Sequence, residues 1–328
     1  MPLSPARRHH VAGGALALLV LCGTAVTAAT VGSGADPSSA SAARAPGSGQ
    51  VAGSERGPVL DGSTILWPED GQSAVELVGA GAPETRGEQR PVPIASLTKV
   101  MTAHVILREH PLRPGEPGPQ IEADPQAAHE VAVGGESTVP LQAGRTYSQR
   151  QLLELTLIPS GNNAARLLAR WDSGSQDAFV EKMRREAARL GMDRSTYTGA
   201  SGIETTTTST AVDQLKLARE AMKDPVLREI VASRTVTVPG IGPVTNTNSL
   251  LDTPGVVGLK TGSSTPAGGN LLWACEIRTG GTTRLLLGAV LHQRAGTTPG
   301  EGIHAALESS RRLVTDLRDR LSSARTGS

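Results

Sequence analysis

The sequence predicts an α+β domain: an antiparallel sheet packed with helices, joined by a mainly helical subdomain. Three observations carry this expectation. Helical spacing fills the middle of the chain, and apolar runs of strand length fill its C-terminal third. Two of those runs flank "TGGT", a hairpin turn, and so read as neighbouring antiparallel strands.

Taken in order, the chain opens on Arg7, Arg8, His9 and His10, followed by "VAGGALALLVLCGTAVTAA". An uncharged apolar run behind a basic cluster is the pattern of an export signal. The run is close to the ~20 residues that span a bilayer, so residues 1–29 read as a cleaved signal peptide or, second to that, a retained membrane anchor. Either places the remainder outside the cytoplasm, with membrane contact through this segment in the second case. Cys22 follows Leu21, not the small residue that a lipidated cysteine needs. Residues 30–57 are mostly Ala, Gly, Ser and Pro, a composition that cannot support a core, and are expected to be a linker. The folded domain is expected over 58–321, with 322–328 as a tail.

"STILWP", the turn "EDGQ" and "SAVELVG" predict a strand hairpin at the start of the domain. Helical spacing begins near Ile94. Residues 108–136 are rich in Pro and Gly and read as irregular surface connections. "SQRQLLELTLI" predicts a helix that stops at Pro159, and "AARLLARW" a second, leaving residues 160–163 on the loop between them. "DAFVEKMRREAARLGM" aligns Phe179, Met183, Ala187 and Leu190 on one helical face; its charged residues read as a solvated face, and Gly191 ends it. "GVVGLKTG", "NLLWACEIR" and "TRLLLGAVLH" predict strands. In "HAALESSRRLVTDLRDRL", Leu307, Leu313, Leu317 and Leu321 predict an amphipathic helix packed on that sheet.

Composition excludes several classes of function. A net charge of +1 without a dense basic run, and only three Trp, two Tyr and one Phe, leave neither footprint nor stacking platform for nucleic acid. The seven histidines show no zinc-ligand spacing, so no metal or other cofactor is expected, and His104 reads as a helix-surface residue. Cys275 is the one cysteine beyond the leader and reads as a buried apolar thiol.

Three short stretches point to chemistry: Ser96-Leu97-Thr98-Lys99, Ser160-Gly161-Asn162 and Lys260-Thr261-Gly262. The chain has only five lysines, and the three motifs in this order arise by chance on the order of once in a thousand such chains. Residues three apart on a helix share a face, so the Lys99 amine can reach the Ser96 hydroxyl. A lysine can take the serine's proton only if desolvation or nearby cations lower its pKa. The apolar neighbours Ile94, Ala95, Leu97, Val100 and Met101 supply the first, and Lys260 the second if it comes close. A turn between helices can project the Ser160 hydroxyl and the Asn162 amide into one cleft, as proton relay and clamp for a substrate carbonyl. Lys260 and Thr261 at a strand end offer a charge and a hydroxyl to a carboxylate, and Gly262 permits close backbone approach.

These motifs, with "PIASLTKVMTA", "VPLQAGRTYSQRQLLELTLIPSGNNAA", "TSTAVDQLKLA" and "GVVGLKTGSSTPAGGNLL" around them, resemble the serine-type D-alanyl-D-alanine carboxypeptidases, the low-molecular-mass penicillin-binding proteins. The resemblance covers roughly residues 60–320. It implies a β-lactamase/transpeptidase-like fold, with Ser96 as acylated nucleophile and Lys99 as its base. Ser160 and Asn162 become relay and clamp, and Lys260 with Thr261 the binders of a terminal carboxylate. It implies, too, an oxyanion hole from the Ser96 and Ser263 backbone N–H groups. The implied partners are a peptidoglycan pentapeptide ending in D-Ala-D-Ala and, as covalent inhibitors, β-lactams.

Two alternatives remain beside that reading. A β-lactamase of the same superfamily carries a Glu-x-x-Leu-Asn segment to activate a deacylating water; here the region reads "DRSTYTGASGIE", where Glu204 is expected on a surface loop. The other is a low-turnover penicillin-binding or peptidoglycan-binding protein with the same fold.

Overall fold

The first strands of the described chain form a hairpin that joins β1 (Gln72–Leu77) to β2 (Glu84–Arg86). The computed structural model describes residues 60–133, 135–279 and 281–323. The expected leader and linker lie outside the described residues. The chain divides at Gly53/Ser54 into two units, and all of the described residues belong to the second.

After β3 (Val92–Pro93) a single 3-10 turn, Ala95–Leu97, leads into α1 (Thr98–Glu109). Then come β4 (Gln120–Glu122), α2 (Pro125–Val133), β5 (Thr146–Ser148) and α3 (Gln149–Leu157). The helical part continues through α4 (Asn162–Ser173), α5 (Gln176–Arg189), β6 (Thr208–Ser209), α6 (Ala211–Ala221) and α7 (Pro225–Ala232). A two-stranded ribbon, β7 (Thr235–Val238) with β8 (Gly242–Thr245), precedes three long strands. These are β9 (Val256–Ser264), β10 (Gly268–Thr279) and β11 (Thr282–Gln293), and α8 (Pro299–Ser323) closes the described chain.

The main sheet is antiparallel throughout, in the order β2-β1-β11-β10-β9, so β9 is an edge strand. Both of its faces are buried, which is why the strands read as near-continuous apolar runs. Along β10, Leu272 and Ala274 join the core shared with the helical part, while Leu271, Trp273, Cys275 and Ile277 face the core beneath α8. Leu313, Leu317 and Leu321 of α8 fill that second core as their spacing predicts.

Local chemistry sets the helix ends. Ser148 and Gln151 form a reciprocal capping box at α3. Asp224 accepts from Val226 N and Leu227 N ahead of α7, with Pro225 in the first turn. Gly174, in the left-handed region at φ 75°, closes α4.

Four expectations are corrected. "STILWP" is not a strand: Asp61 caps a 3-10 turn at Gly62–Thr64, and β1 pairs instead with β2 and β11. Residues 108–136 are not irregular throughout. Asp124 Oδ1 accepts from Ala127 N at 2.7 Å and Pro125 starts α2, a start signal that the surrounding prolines and glycines mask. Asn162 and Asn163 form the first turn of α4, not loop. Lastly, α1 is the buried axis of the helical part, with every residue from 98 to 107 buried, so His104 is an interior side chain.

Candidate active site

The 3-10 turn that carries Ser96 packs against β9, and the backbone there is shaped for close approach. Ala95 sits at φ 47° and Ser160 at φ 65°, left-handed conformations that cost a non-glycine residue energy and persist where the surroundings enforce them. A Cβ on Gly262 would stand 2.9 Å from Ser96 N and 3.0 Å from Ile94 O. Only glycine lets β9 run this close to the amide of Ser96. On its far side, β9 pairs with β10 through Lys260↔Leu272, Thr261↔Leu271, Gly262↔Asn270 and Ser263↔Gly269.

Lys99 is fully buried. Its Nζ lies 2.8 Å from Ser96 Oγ, 2.6 Å from Asn162 Oδ1 and 2.7 Å from Ser201 O. Burial, then the positive charges of Lys260 and Arg166, hold its pKa well below the ordinary lysine value, against Glu136 and Glu204. A neutral amine has two N–H donors and one lone pair. With Asn162 Oδ1 and Ser201 O accepting the two hydrogens, the lone pair faces Ser96 Oγ. That geometry can accept the serine's proton.

Lys260 is 1% exposed, and burial brings its pKa down to about 7. Its Nζ donates to Thr261 O at 3.1 Å. The Thr261 hydroxyl pairs with that of Thr247 at 2.6 Å. Ser160 and Asn162 are buried at the α3–α4 junction, Asn162 N donating to Ser137 O at 2.8 Å. Asn163 locks the junction: its Oδ1 accepts from Val139 N at 3.0 Å, and its Nδ2 donates to Val139 O and Ala127 O. The structure thus brings Ser96, Lys99, Asn162 and Lys260 together, with Ser160 beside Asn162 and with Thr261, Gly262 and Ser263 continuing along the strand. A cavity of about 1050 Å³ between residues 66–70 and α8 touches none of them. Its lining holds no buried lysine beside a serine hydroxyl.

Three contributors escaped the sequence reading. Ser201 lends its carbonyl to Lys99, and Gly202, at φ 86°, brings that segment against Ala95 O and Thr98 Oγ1, where a Cβ would collide. Thr102 Oγ1 donates to Ala200 O at 2.7 Å, tying the same segment to α1. Glu136 accepts from Asn162 Nδ2 at 2.6 Å and from Arg166 at 2.9 Å. Only the glycine in "ASGI" offered a signal in one dimension. Glu204 lies on the loop between α5 and β6, as expected, half-buried and bearing on Lys99 by charge.

Comparison with known proteins agrees with this geometry. The sequence model of the D-alanyl-D-alanine carboxypeptidase family, the S11 peptidases, matches residues 84–289. The chain belongs to that family. Within it, the chain is 35% identical over 218 residues to D-alanyl-D-alanine carboxypeptidase DacB2 of Mycobacterium tuberculosis, covering 64% of this chain and 69% of the relative. It is 33% identical over 184 residues to a D-alanyl-D-alanine endopeptidase of Pseudomonas aeruginosa, covering 54% and 57%. The fold matches that of the Streptomyces K15 DD-transpeptidase with a TM-score of 0.65 at 26% identity, over 76% of this chain and 98% of the other. A D-alanyl-D-alanine carboxypeptidase from Mycobacterium tuberculosis matches with a TM-score of 0.64 at 29% identity, over 76% and 92%. The chain is therefore an enzyme of the S11 D-alanyl-D-alanine carboxypeptidase family with its α+β, transpeptidase-like fold, as the motifs implied.

Proposed function

We propose that this chain removes the terminal D-Ala from peptidoglycan stem peptides through an acyl-enzyme on Ser96, outside the cytoplasm and close to the membrane if residues 1–29 are retained. The observation that carries the reading is the Lys99 amine, buried and 2.8 Å from Ser96 Oγ, with two fixed acceptors for its hydrogens.

Ser96 Oγ attacks the carbonyl carbon of the penultimate D-Ala while Lys99 Nζ takes the hydroxyl proton. The oxyanion forms against the N–H groups of Ser96 and Ser263. Proton transfer through Ser160 to the leaving amine releases D-Ala, and water then attacks the ester, returning its acyl group as the shortened peptide's carboxylate. Asn162 holds the substrate's amide carbonyl. Lys260 and Thr261 receive the terminal carboxylate, and the open edge of β9 lets the peptide lie alongside as an added strand. A β-lactam presents the same carboxylate and carbonyl, acylates Ser96 and has no departing amine, because its leaving group stays tethered.

The test is D-Ala release from a pentapeptide together with labelling by a fluorescent penicillin. Ser96→Ala is expected to abolish both, and Lys99→Ala to lower both by at least about 100-fold. Equal labelling of Ser96→Ala and wild type overturns the proposal. Labelling that persists without D-Ala release favours a low-turnover binding protein, and rapid loss of the label through hydrolysed penicillin favours a β-lactamase.

A further inference from the structure

We propose that Glu136 is a positioning residue of the acylation step: it fixes the Asn162 amide with its oxygen toward Lys99 and thereby aims the Lys99 lone pair at Ser96. The inference rests on the reading of Lys99 as the base.

The Asn162 side chain is clamped between two groups at 2.6 Å, Lys99 Nζ on one side and Glu136 Oε2 on the other. A primary amide fits such a gap in two orientations of nearly identical shape, and its neighbours decide between them. With Nδ2 toward Glu136, a donor meets a carboxylate and an acceptor meets the amine. Rotated by half a turn, Oδ1 would face a carboxylate oxygen, and Nδ2 would donate into the Lys99 lone pair. That second arrangement removes the base, because the electron pair that must receive the Ser96 proton is already engaged.

Glu136 is in turn held. Arg166 donates to the same Oε2 at 2.9 Å, donates through Nε to Glu130 at 2.9 Å, and reaches Ser201 Oγ at 3.3 Å. Ser201 supplies the other acceptor for Lys99 through its carbonyl. One guanidinium therefore ties together the supports of both Lys99 acceptors, Asn162 through Glu136 and Ser201 directly. Asn162 Nδ2 carries two hydrogens, so the bond to Glu136 leaves one for a substrate carbonyl.

Glu136 acts on Lys99 by charge as well. Four charged groups act on the amine: Lys260 from β9 and Arg166 from α4 favour its neutral form, and Glu136 and Glu204, from the segments before β5 and before β6, favour its protonated form. Removing the negative charge of Glu136 lowers the Lys99 pKa further. Neutral amine then persists to lower pH, and the acid limb of the acylation profile moves down.

The experiment measures the second-order rate of Ser96 labelling by fluorescent penicillin against pH, for wild type, Glu136→Ala, Glu136→Gln and Ser96→Ala, with melting temperatures alongside. Glu136→Ala frees the amide and is expected to slow labelling by about 10- to 100-fold on the plateau. Glutamine can still present an oxygen to Asn162 Nδ2, so Glu136→Gln is expected to recover to within about fivefold of wild type, with its acid limb displaced to lower pH. If Glu136→Ala does not fold, the near-isosteric glutamine variant carries the test through its limb. An alanine variant that labels within about twofold of wild type overturns the inference. So does a glutamine variant whose acid limb coincides with that of wild type. Equal labelling of Ser96→Ala and wild type instead overturns the reading of Ser96 itself, and this inference with it.

Discussion

Gly262 shows how little freedom a single residue in this cleft has. Its hydrogen faces Ser96 N and Ile94 O, both backbone atoms that cannot swing away, and Leu97 Cδ1 stands 3.1 Å from where a Cβ would lie. Gly262→Ala must therefore push β9 off the 3-10 turn by a few tenths of an ångström. The expected result is a drop in penicillin acylation of about 10- to 100-fold, with a melting temperature only a few degrees lower. Wild-type acylation by the alanine variant would show that the strand does not need this approach. The chemistry at this scale was legible where it depended on residue type at short spacing: a serine three residues before a lysine, and a lysine-threonine-glycine run in a chain poor in lysine. Glu136, Arg166 and Ser201 were not legible, because a glutamate, an arginine and a serine acquire a role here only through partners brought close by folding.

At the scale of elements, the long strands β9, β10 and β11 were legible because both sheet faces are buried and each run is apolar along its length, whereas the short exposed β2 and the β7–β8 ribbon carry no such signal. Helices were read well where one face is apolar, and missed at α2, whose Asp-Pro start lies in a stretch rich in helix breakers. The helix α5 exposes the limit of periodicity: Phe179, Met183 and Ala187 are buried as expected, but Glu186 is buried too. It faces α1, where it meets His104 Nε2 at 2.7 Å and Arg108, and it takes Arg189 from its own helix. With two guanidinium groups already balancing the carboxylate, His104 need only donate a neutral N–H. Burial, followed by Arg108, brings the imidazole pKa down from 6.5 to about 4, against Glu220 and Asp224. Between these two values the unfolded chain binds the proton and the folded one does not, so stability is full above pH 6.5 and falls as pH drops toward 4. The loss attributable to this group is on the order of 2–3 kcal/mol. His104→Gln keeps a donor for Glu186 and cannot titrate. Urea unfolding at neutral and acidic pH should therefore show a smaller acid loss in the variant. Equal losses would remove His104 as the cause.

The described domain is organised as two cores separated by one sheet, and the side chains packed around Ser96 and Lys99 belong to one of them. The inner core contains Ile94, Leu97, Val100 and Met101 around Ser96 and Lys99 and extends through the helical part. The outer core is formed by Val75, Leu271, Trp273, Leu286 and Val290 with α8. The sheet between them is paired along its length, and a loss of volume on its far side is expected to lower stability while leaving the cleft backbone in place. Leu313, fully buried on α8, separates these effects. Leu313→Ala removes packing from the outer core and is expected to cost about 2–5 kcal/mol, a fall in melting temperature of roughly 5–15 °C for a domain of this size. Because the variant remains folded well below its transition, penicillin acylation of Ser96 at 25 °C should stay within about twofold of wild type. Leu97→Ala removes comparable volume from the inner core, next to Ser96 and against Gly262, and should lower both quantities. Thermal melts and labelling rates on the same preparations decide the matter. A Leu313→Ala protein that melts as expected yet acylates tenfold slower would mean that the sheet couples its two faces and that the cleft is tuned from both sides.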